Sequence, residues 1–342
     1  MASSPTSRER DTAAAAVVVV EEEEVGDAQP QQEWILLAAV PDVRRSSRMF
    51  PPGTDFVLAL KKPPHVSHVT VAARIAPGLQ ATPTRFPYVV AVDAGGGGGG
   101  GGGGVAYAIA ELVPMLGTDH ATLRLYWSAT GLWLSKEVKY AGLGHPESWA
   151  NDAVISHAQK LWWVDLSCGL LACDPFTEHQ DLLFVPLPDG CVPPVAGTEN
   201  DLIKHRCVTS SGGKLHYIQI HSRLGVPIIS VWVLADPEHA TWDCECHLPL
   251  SEIWSRRWVS RITRKKSLMV AAAHPVHTGM LLFVHGKNLF TVDVKARRMI
   301  RCTDLHATHC NPSCFFHSWP LNQPLNTEQH DTSANSSGMA FS

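Results

Sequence analysis

The chain has 342 residues, of which 45% are hydrophobic and 18% are charged, and its formal net charge is −4 at pH 7. This length accommodates one large β domain or two ordinary domains, each with a sizeable core. The mild acidity excludes a general attraction to nucleic acid or to anionic membranes. Eleven Trp, together with 24 Pro and 26 Gly, favour strands and turns over long helices. Composition therefore predicts a soluble, β-rich protein.

The first 33 residues are of low complexity, with successive blocks of Ala, Val and Glu at 13–16, 17–20 and 21–24. We expect residues 1–33 to be a disordered leader, because such a segment buries too little apolar surface to offset its ordering entropy. The apolar blocks are too short to span a bilayer, and no signal-peptide cleavage site follows them. The nine Cys, an odd number, fit reduced thiols. We therefore expect an intracellular protein of the cytoplasm or nucleus, with no secretory signal or transmembrane segment.

Residues 34–150 form an N-terminal β-rich region, in which short strand-like runs begin at Trp34 and are broken by Pro and Gly. A run of glycines at 95–104 interrupts it. A phosphate-binding loop needs a Gly-Lys-Ser/Thr ending and a following helix, and neither is present. We interpret 95–104 as a flexible loop between two strands, since added loop length costs little free energy.

Residues 151–305 repeat one pattern, in which a turn leads to a short apolar strand, a polar corner and a second strand. The repeats begin at Lys160, Lys214 and Lys287. Gly169 is predicted to adopt a positive φ in the turn of the first hairpin, and 250–258 is the best candidate helix. The pattern is typical of propeller blades of about 50 residues. It predicts an all-β fold, an irregular or partial β-propeller-like domain of short antiparallel strands, with a β-sandwich as the alternative.

One stretch carries a specific resemblance. Residues 161–176 read LWWVDLSCGLLACDPF, and residues 184–188 read FVPLP. The double Trp, the Asp two residues later, the Gly turn and the Cys-Asp-Pro-Phe corner resemble the signature of a plant family, expanded in grasses, known as domain of unknown function 1618. Later pieces at 230–234 and 290–294 agree, as do Trp242, the pair 253–254 and the opening 34–37.

The resemblance implies a β-rich fold with propeller-like units, similar to the interaction domains that follow F-boxes in plant adaptors. It implies no activity, because none is established for the family, and the chain has no recognisable F-box. The looser likeness extends from 34 to about 305. After Cys302 the sequence departs from the pattern, so residues 306–342 are expected to form a loose tail, Cys/His-containing and then Ser/Asn-rich.

Two groups of Cys and His raise the question of a zinc site. One is Cys244, Cys246 and His247; the other comprises Cys302, His306, His309, Cys310, Cys314 and His317. Zinc takes four Cys or His ligands in tetrahedral geometry, usually from paired C-x₂₋₄-C knuckles. Cys-x-Cys is tight for a knuckle and Pro312 restricts the second group. We therefore favour scattered reduced thiols, assign no metal ligand and no cofactor, and keep the C-terminal zinc site as an alternative.

The sequence gives little support for a catalytic site. The sequence lacks G-x-S-x-G, H-E-x-x-H and a Walker lysine. Cys168 or Cys173 could act as a nucleophile with a nearby His, but both lie in an apolar hairpin where thiols are usually inert. Asp165 and Asp174 could serve as paired carboxylates, but turn capping explains their positions better. We predict a non-enzymatic protein and assign no catalytic or cofactor-binding residue.

A basic patch at 256–266 offers a nucleic-acid alternative. It contains Arg256, Arg257, Arg261, Arg264, Lys265 and Lys266, interleaved with Trp254 and Trp258. These could neutralise phosphates and stack on bases, or mark a nuclear-localisation signal; a solvated basic face with Trp packed in the core is favoured. The leading prediction is a protein-interaction module whose loops bind a protein partner of unknown identity, with no membrane partner. The alternatives are a nuclear nucleic-acid-associated protein and a zinc-binding protein.

Overall fold

The computed structural model describes residues 16–21, 34–38, 42–44, 50, 54–63, 65–75, 88–90, 108–128, 130–141, 144–177, 181–192, 204–254, 268–305 and 316–320. Over these residues the chain is almost entirely β-structure, which confirms the predicted all-β class. The predicted helix at 250–258 is a single turn, α1 (Leu250–Ile253), after which Trp254 returns to extended backbone. Residues 255–258 lie outside the described residues.

The strands fall into five groups along the chain. The first group is β1 (Ala16–Glu21), β2 (Trp34–Ala38), β3 (Asp42–Arg44), β4 (Thr54–Leu60) and β5 (Val66–Ala72). The second is β6 (Tyr88–Val90), β7 (Ala108–Pro114), β8 (His120–Trp127) and β9 (Leu132–Ala141); the third is β10 (Ala153–His157), β11 (Lys160–Asp165), β12 (Gly169–Cys173) and β13 (Asp181–Pro186). The fourth is β14 (Arg206–Ser211), β15 (Lys214–Arg223), β16 (Val226–Asp236) and β17 (Thr241–Pro249). The last is β18 (Met269–Ala273), β19 (Met280–His285), β20 (Asn288–Asp293) and β21 (Arg298–Asp304), followed by β22 (Phe316–Pro320).

Four of these groups are antiparallel meanders of four strands in chain order: β6–β9, β10–β13, β14–β17 and β18–β21. The three predicted hairpins are present as β11–β12, β15–β16 and β19–β20. Lys160 and Lys214 begin the second strand of their meanders, whereas Lys287 precedes the third strand of the last one. The third predicted repeat was therefore aligned one turn too late, because the first turn of that meander is the longer loop 274–279, which contains no Lys.

The fifth unit joins the two ends of the described chain. β22 pairs antiparallel with β2, β2 pairs in parallel with β5, and β5 pairs antiparallel with β4. The sequence predicts a loose tail over 306–342, and the structure differs at 316–320, which supply the inner strand of this unit. Pairing the last described strand with an N-terminal one closes the arrangement without leaving that edge of β2 unpaired.

Five apolar clusters lie between successive units. They are represented by Phe56 against Ile109, Leu123 against Trp163, Trp162 against Trp232, Ile229 against Phe283, and Leu282 against Leu36. The clusters follow one another in cyclic order and return to the first unit. Each sheet therefore packs against a neighbouring unit on both faces, as in a propeller, and this explains why inner strands such as β11 are apolar on both sides.

The first strands of the last three meanders, β10, β14 and β18, lie innermost. β14 contacts both β10 and β18, and β18 contacts β22. Because the strands alternate in direction, the turns between second and third strands lie at the same end of a unit as the connections to the next unit. We call this the connection end. The turns between first and second and between third and fourth strands lie at the opposite end, which we call the turn end.

Two further features differ from the sequence-based expectations. Residues 16–21 of the leader form β1, which pairs in parallel with β4, because a run of Val has high β-propensity. The rest of 1–33 lies outside the described residues, so disorder there stays a prediction. The proposed boundary at residue 150 is bridged by β13, which pairs in parallel with β9. The glycine run 95–104 also lies outside the described residues.

Candidate functional site

The two tryptophans of the signature stretch are packing residues on opposite faces of β11. Trp162 is buried against the β14–β17 unit, and its indole Nε1 donates a hydrogen bond to the carbonyl of His157 at 3.1 Å. Trp163 is buried against the β6–β9 unit. Adjacent residues of a strand point to opposite faces of the sheet, and the two rings accordingly pack against different neighbouring units. Neither ring is available for a ligand groove.

Asp165 is a buried turn residue. It is 1% exposed, and its carboxylate accepts hydrogen bonds from the backbone N–H of Ala150 at 2.5 Å and of Ser167 at 2.7 Å. Asp174 lies at the other end of β12 and accepts from the N–H of Phe176 at 2.9 Å. The two carboxylates are therefore separated by a whole strand. Turn capping, the interpretation favoured from sequence, describes both.

The Asp174 turn has counterparts in the next two units. Asp236 accepts from the N–H of Glu238 at 2.9 Å, and Asp293 accepts from the N–H of Lys295 at 3.0 Å. All three aspartates sit between the third and fourth strands of their units, at the turn end. Sequence reasoning missed this equivalence. The available signal was an Asp immediately after or at the end of an apolar strand in each repeat.

Gly169 is required for a reason other than the predicted one. Its φ is not positive, since Gly169 is not among the described residues with left-handed backbone. A Cβ on Gly169 would lie 2.4 Å from the carbonyl oxygen of Val185 and 2.9 Å from the ring of Phe184. The residue begins β12, where the adjacent strand β13 approaches closely. Glycine is therefore required here because β13 leaves no room for a Cβ, and not because the turn needs a positive φ.

The signature cysteines are poor nucleophiles. Burial raises the pKa of the Cys173 thiol to about 12, with the charges of Lys136 and Asp174 acting in opposite directions. Burial and the neighbouring carboxylate of Asp165 also raise the pKa of Cys168 far above its ordinary value. Because the thiolate is the reactive form, neither residue is activated near neutral pH.

The residues proposed for zinc are not brought together among those described. A β-bulge at Glu245 pairs Cys244 with Trp232 and Cys246 with Val231, so the two thiols lie on opposite faces of the sheet. Within the described ranges, no group of three or more His, Cys, Asp or Glu is placed to hold a metal ion. Cys302 is exposed on β21, and His317 lies on β22. His306, His309, Cys310 and Cys314 lie outside the described residues.

Trp254 belongs to the core and not to a base-stacking surface. It is buried, and its ring meets those of Phe283 and Phe290 edge-on at centroid distances of 6.3 and 6.0 Å. The packing interpretation is thereby confirmed for Trp254. The basic residues and Trp258 of the patch 256–266 lie outside the described residues.

The structure does show a polar row that the sequence did not reveal. Arg206, Gln219, Ser230 and His247 are cross-strand neighbours on β14, β15, β16 and β17 and share one face of that unit. The face is the one that packs against the β10–β13 unit. The guanidinium of Arg206 crosses to that unit and donates to the carbonyl of Leu166 at 2.8 Å. Register across four strands brings these residues together, and no spacing in the sequence encodes it.

Side-chain hydrogen bonds add Tyr217 and His221 to this row. The Tyr217 hydroxyl donates to the Gln219 side-chain oxygen at 2.9 Å, and the Gln219 amide nitrogen lies 3.0 Å from Nδ1 of His221. Since that nitrogen can only donate, Nδ1 of His221 accepts. Ser230 Oγ lies 2.6 Å from Nδ1 of His247. Ser230 is 0% exposed, so its hydroxyl serves the network and does not meet a substrate.

Above this row the β15–β16 hairpin ends in an exposed leucine. Leu224 is 98% exposed and adopts a φ of 51°, followed by Gly225 at 78°. Other exposed apolar side chains also lie in turns or connections at the connection end. We call this set the connection-end rim: Met115, Leu116, Val192, Leu224 and Val226.

Comparison with known proteins adds a family for part of the chain. A family model described as "Protein of unknown function (DUF1618)" matches residues 163–282. The match runs from β11 to β19 and includes the whole β14–β17 unit with its polar row. No curated protein matches the chain. In the part of the chain that the structure describes, no helix is long and apolar enough to cross a membrane. Over residues 163–282 the chain is therefore similar to the DUF1618 family.

Proposed function

We propose that this chain is a non-enzymatic protein-interaction module that binds a protein partner through the connection-end rim. The observation that carries the proposal is the near-complete exposure of Leu224 at the tip of the β15–β16 hairpin. Isolated exposed leucines are common, but this one occupies a left-handed backbone conformation that residues other than glycine rarely adopt. Asn or Gly at this turn position would avoid both the exposed apolar side chain and the unfavourable backbone conformation.

Binding energy is available at this tip. Transferring a fully exposed leucine side chain into an apolar pocket contributes about 1.5–3 kcal/mol. The two strands of the hairpin are fixed by side-chain hydrogen bonds, because Gln219 on β15 and Ser230 on β16 belong to the polar row. A pre-ordered hairpin loses little conformational entropy on association. Val226, on the strand that leaves the turn, extends the apolar surface.

The chemistry of the signature hairpin supports a binding role over catalysis. Asp165 and Asp174 are occupied as turn caps. The thiols of Cys168 and Cys173 have raised pKa values. Each of these distinctive residues is accounted for by folding, which leaves the loops as the surface on which a partner could bind.

The test compares two exposed leucines. Full-length chain, Leu224→Ser and Leu132→Ser are immobilised, exposed to extract of the source cells, crosslinked and analysed by quantitative mass spectrometry. Leu132 is the control because it is 60% exposed on β9, away from the rim. We expect a stoichiometric partner to be retained by the wild type and by Leu132→Ser and lost by at least about tenfold with Leu224→Ser, since 1.4 kcal/mol is tenfold in affinity. Equal retention by all three chains contradicts the proposal.

A further inference from the structure

The outer edges of the units are protected in different ways. An unprotected edge strand offers unpaired N–H and C=O groups to strands of other molecules. β9 and β13 protect each other by pairing at residues 139–141 and 181–183. β17 carries a bulge at Glu245, and β21 carries one at Ile300. Bulges and charged residues both discourage strand addition.

β4 lacks these devices. It pairs with β5 in unbroken register and contains no proline. Its single charged residue, Asp55, is 6% exposed. From Phe56 to Leu60 the strand is apolar. β4 is therefore the outer strand that is best suited to accept a further strand among those described.

The chain itself supplies that further strand. β1 pairs in parallel with β4 from Ala16 opposite Thr54 to Glu21 opposite Leu60, with one irregularity between Ala16 and Val17. β1 has no other pairing partner among the described strands. It lies outside the four strands β22, β2, β5 and β4 that make up the fifth unit, so the ring of units closes without it.

We propose that the β4 edge is a strand-binding surface whose resident occupant is the chain's own segment 16–21. In this arrangement β1 shields the edge from extended strands of other molecules. The surface recognises an extended strand in parallel orientation that is rich in β-branched valines, with Glu21 at its end. This inference concerns the fifth unit and is independent of the connection-end rim.

The covalent connection between β1 and the rest of the chain explains why a weak pairing is enough to keep β1 on β4. Residues 22–33 connect β1 to β2, and a short connection holds the segment at an effective concentration in the millimolar range. Parallel pairing is slightly less stable per residue than antiparallel pairing. The segment is therefore well populated on β4 in cis, yet exchangeable when the tether is cut or the strand is broken.

The first experiment breaks β1 within the full-length chain. Along a strand, backbone N–H groups point alternately to the two sides, so prolines at two adjacent positions remove at least one bond to β4. In Val18→Pro/Val19→Pro we expect the amides of β4 that face β1 to exchange with deuterium at least about tenfold faster. Val18→Thr/Val19→Thr keeps β-branched residues and should exchange as the wild type does. Unchanged protection in the proline variant overturns the proposal.

A second experiment does not depend on how the proline variant folds. A site-specific protease recognition sequence is placed within 22–33, so that the chain folds with β1 tethered and is cut afterwards. A fluorescent peptide of residues 15–22 is then added and followed by anisotropy. We expect uptake by the cut chain with an affinity at least about tenfold higher than by the uncut chain, because cutting removes the cis competitor. Absence of uptake after cutting, or equal uptake before and after, overturns the proposal; a peptide with both prolines is the specificity control.

Discussion

Ser230 Oγ lies 2.6 Å from Nδ1 of His247, across two neighbouring strands and beneath the exposed β15–β16 hairpin. The same oxygen is 3.5 Å from Nδ1 of His221. The serine is fully buried, whereas His247 is exposed. The pair therefore links a buried polar row to the surface of the β14–β17 unit.

Loss of this hydroxyl should destabilise the fold. We expect Ser230→Ala to lower the free energy of unfolding by about 1–3 kcal/mol, because Nδ1 of His247 loses its hydrogen bond with a fully buried hydroxyl. His247→Ala should cost less, since its ring is exposed. A double-mutant cycle by urea denaturation measures the coupling between Ser230 and His247. Strict additivity of the two substitutions would show that the 2.6 Å contact contributes nothing.

Gly169 tests the close approach of β12 and β13. Gly169→Ala should lower stability by about 2–4 kcal/mol, because its Cβ meets the backbone oxygen of Val185 at 2.4 Å and the strands must separate. Gly144→Ala is the matched control, since its Cβ meets only the Phe184 ring at an ordinary 3.4 Å. Thermal unfolding of both variants measures the difference in stability. Equal melting temperatures would show that the approach of Val185 does not require glycine at position 169.

The two signature tryptophans should be separable by the interface each one stabilises. Trp162→Ala and Trp163→Ala should each cost about 3–5 kcal/mol as large-to-small core changes. Hydrogen exchange should then rise mainly in β14–β17 for Trp162→Ala and mainly in β6–β9 for Trp163→Ala. Identical exchange patterns in the two variants would show that the faces are not energetically distinct.

His274 should make the fold acid-sensitive. Burial, and secondarily the nearby His277, lower the pKa of His274 to about 4, and its Nδ1 accepts the N–H groups of Val276 and His277 at 3.2 and 3.0 Å. The unfolded chain binds this proton near its ordinary pKa of 6.5, so unfolding takes up a proton between these values. Stability should therefore fall as the pH falls from 6.5 towards 4.

The control for this pH dependence is His274→Asn, which removes the titrating group and keeps a side-chain acceptor. We expect its melting temperature to fall less than that of the wild type over the same pH range. His317, whose pKa burial lowers to about 4, titrates in both proteins and cancels in the comparison. Parallel curves for the two proteins would rule out His274 as a source of acid sensitivity.

The first hairpin of the β10–β13 unit offers a stabilising change. Ala158 and Gln159 adopt φ values of 49° and 62°, which Asn-Gly accommodates in a two-residue turn. Ala158→Asn/Gln159→Gly should raise the free energy of unfolding by about 1 kcal/mol, since backbone strain is relieved. Chemical denaturation measures it, and a loss of stability would contradict the turn assignment.

The sequence by itself determined the β class, the hairpin pattern and the packing roles of the signature residues. Apolar runs on both faces of β11 require burial on both sides, and Asp174 before Pro175 requires a turn. These properties depend on neighbours in the chain, so a local pattern carries them. The same reasoning gave Gly169 the wrong cause, because the approach of Val185 comes from a different strand.

Tertiary structure alone decided the arrangements that join distant residues. The polar row from Arg206 to His247 exists because four strands pair in one register, and a shift of one residue would turn each side chain to the other face. The closure of β2 by β22 and the covering of β4 by β1 likewise join segments far apart in the chain. Register and closure are set by packing between sheets, whose free energy no local stretch contains.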